Sequence, residues 1–296
     1  MANHHVLTIP APKGVAPDFS RGSVFFVGTA TVIIKYAGFT ILTDPNFLHA
    51  GDHAHLGYGL TSKRLTNPAV EIGNLPPLDL CLLSHFHGDH FDHIAAERLD
   101  KSLPVVTTPH AAKALQGEGF RNTHSLDTWD SIDIAKGGER LLVTSMPGKH
   151  ATGPLAALLP PVMGSMLEFR DAEGKILYRM YISGDTLLID ELKEIPRRFP
   201  DIYLGLFHLG GTKILGLLTV TMDAKQGVQA VRLIHPKAAI PIHYNDYTVF
   251  KSPLEDFKRA MDEARLPVEM VYLEHGEAYE FEAPGMQAKL RAVGES

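Results

Sequence analysis

The sequence predicts an α/β protein in which two β-sheets pack together with helices outside them. Three observations predict it. Strand-like blocks open the chain and recur in its second half, each followed by helix-like segments, as layered sheets with outer helices require. The 296 residues are 45% hydrophobic and 21% charged, enough to bury a substantial core and too apolar for a disordered chain. No low-complexity tract, short repeat or linker-like stretch interrupts the chain, so it reads as one domain, with residues 1–20 as an N-terminal arm and a core over about 21–284.

The elements follow in order. Ser23–Gly28, Thr31–Tyr36 and Phe39–Thr43 read as strands, the last two joined by a turn at Ala37-Gly38. Asp44-Pro45 ends that run, and a polar, Gly- and His-rich loop covers roughly 49–64. Leu78–Leu83 is a continuous apolar run, as expected of a strand covered on both faces. Helix signals at Asp92–Leu99 and Pro109–Gln116 flank a strand at Val105–Thr107. Strands at Arg140–Met146, Ser165–Arg170 and Ile176–Ile182 precede a helix at Leu188–Arg198 and a strand at Ile202–Phe207. Asp223 caps a helix to Leu233, and Ala238–Ile242 is a strand. A helix opens at Ser252-Pro253, with Pro at its first position, and ends near Arg265. Val268–Leu273 and Glu277–Phe281 close the chain as strands.

Composition narrows the function classes. The formal net charge is -6 and no long basic run appears, so nucleic acid is not an expected partner. The N-terminus lacks the basic start and apolar core of a signal peptide, and no apolar run reaches membrane-spanning length, so no membrane insertion is expected. The single cysteine, Cys81, falls in a predicted buried strand; no intrachain disulfide can form, and a reducing, cytoplasmic setting fits best.

The chemistry is concentrated in His85-Phe86-His87-Gly88-Asp89-His90, directly after the apolar run. Three imidazoles and a carboxylate within six residues cannot be buried cheaply without partners. A divalent cation supplies those partners, and imidazole with carboxylate suits zinc, manganese or iron. His85 and His87 are two apart, so in an extended segment both point the same way and can reach one ion. Gly88 lets the chain turn, which would bring Asp89 and His90 to a second ion. Three more strand exits carry candidate ligands: His150 after Pro147-Gly148-Lys149, Asp185 after Ser183-Gly184, and His243 after Pro241-Ile242. Ligands at the ends of rigid strands are what a metal site needs.

The motifs HFHGDHFD, PGKH, SGDT and IPIHY, in that order, resemble those of the metallo-β-lactamase-fold superfamily, over about residues 23–245. Asp92 and SGDT make the chain most similar to the branch of L-ascorbate-6-phosphate lactonases and N-acyl-phosphatidylethanolamine-hydrolysing phospholipase D. The resemblance implies an αββα sandwich of two mixed sheets packed face to face, helices on both outer faces and metals in a cleft at one edge. It implies that His85, His87 and His150 bind one ion, Asp89, His90 and His243 the other, with Asp185 bridging. Asp92 would orient a ligand imidazole. The cofactors expected are two divalent ions, zinc first, with manganese or iron as alternatives. A hydroxide held by such a pair would attack an ester-type bond, and Asp89 would shuttle the proton to the leaving group.

Other residues have competing readings. His208 ends a strand near the expected cleft and is a candidate substrate contact or proton carrier, against a role as a hydrogen-bonded wall residue. Lys149, Lys213 and Tyr244 are candidate substrate contacts by their position beside ligands; Asn245 is placed likewise. Tyr58 is a further candidate substrate contact; it lies with His53 and His55 on the long early loop, where a solvated surface is the simpler reading. Asp44 reads as a cap for the turn at Pro45, Asp223 as a helix cap, and His93, His110, His124, His235 and His275 as ordinary surface or cap residues. His4 and His5 read as terminal and mobile.

Two apolar stretches, 154–163 and 214–218, flank the cleft in this scheme and serve either core packing, a homo-oligomer interface, or a pocket for an acyl or ring group. No arginine cluster for phosphate is evident. The expected function is therefore hydrolysis of a lactone, carboxylic ester or phosphodiester in a small molecule carrying an apolar group. The alternatives are a nuclease, which should show a basic exosite, an iron-dependent oxygenase of the same fold, and a non-enzymatic metal sensor with a closed cleft.

Overall fold

The computed structural model describes residues 3–11, 17–57, 59–151, 159–214 and 218–284. The first half runs β1 (His4–Ile9), β2 (Arg21–Gly28), β3 (Thr31–Tyr36), β4 (Phe39–Thr43), β5 (His53–His55), β6 (Thr61–Lys63), β7 (Leu80–Leu82), α1 (His93–Arg98), β8 (Val105–Thr107), α2 (Pro109–Gly117) and β9 (Thr123–Ser125). The second half runs β10 (Ser131–Lys136), β11 (Glu139–Met146), β12 (Gly164–Arg170), β13 (Ile176–Ile182), α3 (Glu194–Arg198), β14 (Leu204–His208), β15 (Lys213–Ile214), β16 (Leu218–Thr219), α4 (Ala224–Ile234), β17 (Ala238–Ile242), α5 (Leu254–Ala264), β18 (Glu269–Met270) and β19 (Ala278–Glu282).

These strands form two large mixed sheets. One is ordered β19-β2-β3-β4-β7-β8-β9 and the other β1-β10-β11-β12-β13-β14-β17-β18. Alternation along the strands explains why they stack. Val32 and Ile34 of β3, Ile41 of β4 and Leu80 and Leu82 of β7 enter the core between the sheets, with Ile134, Val143, Leu167, Met180, Leu206 and Ile240 opposite. Ile33, Leu42 and Cys81 point the other way and pack under Ala95, Leu99, Ala111 and Leu115 of the α1 and α2 region. β7 is thus covered on both faces, which is why its sequence is apolar without interruption. On the far side of the second sheet, α4 and α5 contribute Val228, Val231, Phe257 and Met261. This is the αββα arrangement expected from the sequence.

Four expectations change. Residues 1–20 do not form only an arm: His4–Ile9 is an edge strand, parallel to β10, with His4 Nδ1 2.9 Å from Ser131 Oγ. His4 and His5 are therefore held in a sheet. The helix read at Leu188–Arg198 is a 3-10 turn at Asp190–Lys193 followed by the short α3. Pro196 lacks the N–H that would continue an α-helical ladder to Leu192, so the turn cannot run into α3 as one helix. Pro253 precedes α5 as its N-cap instead of opening its first turn. Finally, the loop at 49–64 contains a small hairpin, β5 with β6. Among the described residues, no helix is long and apolar enough to cross a membrane.

Candidate metal centre

Strand exits from both sheets meet at one edge of the sandwich. β7 leads into Ser84 and the run His85–His90; β11 leads to His150, β13 to Asp185 and β17 to His243. Of the seven candidate ligands, all but His87 are buried. His85 Nε2 lies 3.0 Å from His87 Nδ1, which lies 3.3 Å from His150 Nε2. His90 Nε2 lies 3.1 Å from His243 Nε2 and 3.2 Å from Asp185 Oδ2, and His243 Nε2 is 3.5 Å from Asp89 Oδ2. The sequence-predicted ligands converge as two triads, His85/His87/His150 and Asp89/His90/His243, with Asp185 reaching His90 and His85 between them.

The donor set fits divalent cations on its own chemistry. Imidazole nitrogens 3.0 to 3.3 Å apart cannot all be satisfied by one another, since each neutral ring has one N–H and one lone pair. Asp89 Oδ1 and Asp185 Oδ1 are buried with no hydrogen-bond partner among the described residues. Buried oxygens of this kind are costly unless a cation meets them. His85, His87 and His150 have pKa values pushed down, His87 to about 3, by burial first and by neighbouring imidazoles. They are therefore neutral and keep a lone pair for a metal. Burial also disfavours charge on His90 and His243, but Asp185 and Asp89 outweigh it and raise both. In that half of the site the carboxylates demand a positive partner, which a cation supplies better than shared protons.

Three of the rings are aimed by hydrogen bonds to the far nitrogen, and a fourth, His90, by longer-range contacts. His150 Nδ1 is 2.6 Å from Val220 O and His243 Nδ1 is 3.1 Å from Leu209 O. His85 Nδ1 is 3.0 Å from Ser84 Oγ, and that hydroxyl donates to Asp44 Oδ1 at 2.9 Å. Asp44 Oδ1 also lies 3.5 Å from His90 Nδ1. Asp44 is thus no mere cap for the turn at Pro45. Burial pushes its carboxyl up, but His208 and His90 outweigh burial and lower it to about 2. No local signal in the sequence distinguished it; only the parallel pairing of β4 with β7 brings Asp44 beside Ser84.

Asp92 does not orient a ligand imidazole. Its carboxylate accepts from Ala95 N, Phe47 N, Leu48 N and Asn46 Nδ2, so it caps α1 and pins the loop after β4. Asn46 extends this support: its Nδ2 donates to Gly88 O at 2.9 Å, and its Oδ1 accepts from Tyr247 Oη and the fully buried Arg64. Nothing in the sequence marked Arg64 as buried.

The candidate substrate contacts fare differently. Tyr244 is buried in the core, its hydroxyl donating to Leu273 O at 3.0 Å, so it does not face the centre; the chain turns after His243 and sends the ring inward. His208 is fully buried behind His90, its ring stacked at 5.9 Å and its Nε2 3.5 Å from Asp44 Oδ2, too long for a good hydrogen bond. It is a wall residue, not an exposed substrate contact. Lys149 is exposed, and its backbone ties to Thr186 and Leu187. Lys213 is exposed in β15 and lines a separate cavity beside α4 and α5. His53 and His55 are exposed on β5. His275 is more than a surface residue: its Nε2 is 3.1 Å from the buried Asp246. Tyr58 lies outside the described residues, as do residues 154–158 and 215–217 of the two apolar stretches.

Known proteins show the same picture. A model of the beta-lactamase superfamily domain matches residues 37–244. A Methanopyrus kandleri protein named as a metal-dependent hydrolase is 31% identical over 208 residues, 68% of this chain and 82% of that protein. The N-acyl-phosphatidylethanolamine-hydrolyzing phospholipase D 1 of Caenorhabditis elegans is 24% identical over 274 residues, 86% of this chain and 75% of that protein. Among solved structures, an isothiocyanate hydrolase from Delia radicum gut bacteria superposes with a TM-score of 0.72 at 20% identity, covering 88% of this chain and 99% of that one. With the matched model spanning β4 to β17 and all seven converging side chains, the chain belongs to the beta-lactamase superfamily and has the metallo-β-lactamase fold.

Proposed function

We propose that this protein is a metal-dependent hydrolase that cleaves an ester-type bond (a lactone, carboxylic ester or phosphodiester) in a small molecule. The observation that carries the reading is the pair of buried triads with two unpartnered carboxylate oxygens, in a chain whose relatives include proteins named as metal-dependent hydrolases. His85, His87 and His150 would hold one cation and Asp89, His90 and His243 the other, with Asp185 shared; two zinc ions suit this mixture of imidazole and carboxylate best, with manganese or iron as alternatives. Bound divalent cations supply Lewis acidity and let solvent ionise near neutral pH.

The chain's own residues supply orientation and proton handling. Ser84, Val220 and Leu209 fix three ring planes by hydrogen bonds, and the charge of Asp44 lies beside His90, so those imidazoles need little reorganisation when they bind. Asp89 offers two oxygens, one for a cation beside His243 and one to accept a proton from solvent and deliver it to a departing oxygen. Burial would raise this carboxyl, but His90 and His243 outweigh burial and lower it, so it enters the step ionised, as the acceptor. The site is cytoplasmic in this reading, and its substrate is a small molecule, not a nucleic acid, since the chain carries a net charge of -6.

The test is a panel of lactones, carboxylic esters and phosphodiesters given to protein purified without added metal. Turnover should vanish with a chelator and return with one particular cation. Turnover that survives full chelation, or a fully metal-loaded protein inert to all three bond types, would refute the reading.

A further inference from the structure

Three of the five converging imidazoles have the far nitrogen hydrogen-bonded at 3.1 Å or less, through Ser84, Val220 and Leu209, and that of His90 faces Ser84 Oγ at 3.4 Å and Asp44 Oδ1 at 3.5 Å. His87 differs. Its Nδ1 faces His85 and His150, while its Nε2 has no hydrogen-bond partner among the described residues. It is also the one member of the seven that is only half-buried. An imidazole that gives Nδ1 to a cation carries its proton on Nε2. His87 then presents a donor to whatever lies beside it.

Beside it is a groove of about 460 Å³ between β5 and α1. Leu48, Phe86, Phe91 and Ala96 give it an apolar lining, and Phe86 and Phe91 stack with ring centres 5.7 Å apart. Glu97 and Glu118 are its exposed acidic residues, the buried Asp92 and the imidazoles of His53, His55 and His93 also line it, and no lysine or arginine does among the described residues. The wall is firmly attached to the metal-binding run. Gly88 N donates to His55 O at 2.9 Å, and a Cβ on Gly88 would come within 2.7 Å of His55 backbone atoms. The size falls within the range of small-molecule sites, roughly 300–1,000 Å³.

Building on the hydrolase reading, we infer that this groove receives the non-reacting part of the substrate: an uncharged aromatic or aliphatic group with a hydrogen-bond acceptor for His87 Nε2. An anionic group beside the exposed Glu97 and Glu118 would meet two carboxylates with no lysine or arginine to pair it, so that end of the groove selects against it. The apolar lining rewards a compact hydrophobic group placed next to the reacting bond.

Two neutral or charged naphthalene probes and one ester series test this. N-phenyl-1-naphthylamine is uncharged, and 8-anilinonaphthalene-1-sulfonate carries a sulfonate. The wild-type protein should bind the neutral probe at least about tenfold more tightly than the sulfonate. Ala96→Phe, which fills the groove, should weaken the neutral probe by about tenfold or more. Glu97→Lys, at an exposed helix position, should tighten the sulfonate relative to the neutral probe. In turnover, Ala96→Phe should lower kcat/KM for p-nitrophenyl hexanoate about tenfold more than for p-nitrophenyl acetate. Equal affinity of wild type and Ala96→Phe for the neutral probe, or a sulfonate bound as tightly as the neutral probe, overturns the inference. The binding measurements need no catalysis, so an inactive wild type would sink the hydrolase reading alone and leave the groove to be judged by the probes.

Discussion

Asp44 shows how much of the site depends on one side chain away from the ligands. Its Oδ1 accepts from Ser84 N and Oγ and lies near His90 Nδ1, so one carboxylate supports two imidazoles, His85 through Ser84 and His90 directly. Asp44→Asn keeps the shape but removes the charge that holds His90. It should weaken cation binding about 10–100-fold, read by competition with a chromophoric chelator. Asp89→Asn should behave differently: with both cations counted as bound, kcat should fall about 10²–10⁴-fold because no carboxylate remains at that position to move the proton. Full turnover in a metal-replete Asp89→Asn protein would exclude the shuttle. Asp89 and its neighbours were legible because their spacing is local. Asp44 was not, because its partners are about forty residues away and meet it only through the strand order. Tyr244 misled for the opposite reason: adjacency to His243 in the chain says nothing about direction once the backbone turns, and His243 and Asn245 both have positive φ, 63° and 60°.

At the scale of elements, strand ends do the positioning. β4 and β7 lie in one sheet and β11, β13 and β17 in the other, and all release their functional side chains at the same edge. Apolar periodicity made these strands readable, and β3, β8, β13 and β17 appear with the expected bounds. Short or edge elements were not readable: β1, β9 and the β5–β6 hairpin have little apolar patterning because they are partly exposed. The hairpin nevertheless matters to the centre, since His55 packs directly on Gly88. Gly88→Ala would drive a Cβ to 2.7 Å from His55 N and O. It should cost about 1–3 kcal/mol and lower the melting temperature by several degrees, with weaker metal retention. A thermal melt unchanged by this substitution would show that the hairpin yields freely.

Across the whole molecule, Asp246 joins the two sheets beside the site. It follows β17 of one sheet, while its Oδ2 accepts from Thr29 N in the turn between β2 and β3 of the other at 2.7 Å. Its Oδ1 accepts from Thr66 Oγ1 and lies 3.1 Å from His275 Nε2. Burial raises this carboxyl, but His275, Arg64 and Thr66 outweigh it and lower the pKa below its ordinary value. A folded-state pKa below the unfolded one, about 3.9, stabilises the protein above that pH, and the contribution disappears as pH falls through the folded value. Metal-free Asp246→Asn should therefore be less stable than wild type at pH 6, and the gap should shrink below about pH 4 in denaturant titrations. A gap constant down to pH 2 would mean that the charge carries none of the effect.

The central claim is that seven side chains from strand ends of both sheets hold divalent cations at one edge of the sandwich. Anomalous scattering at the zinc edge from crystals grown with zinc tests it most directly. Two peaks are expected, one bounded by His85, His87 and His150 and one by Asp89, His90 and His243, with Asp185 beside both and ligand distances of about 2.0–2.2 Å. Zinc bound only elsewhere on the molecule, with those side chains bare, would contradict the account.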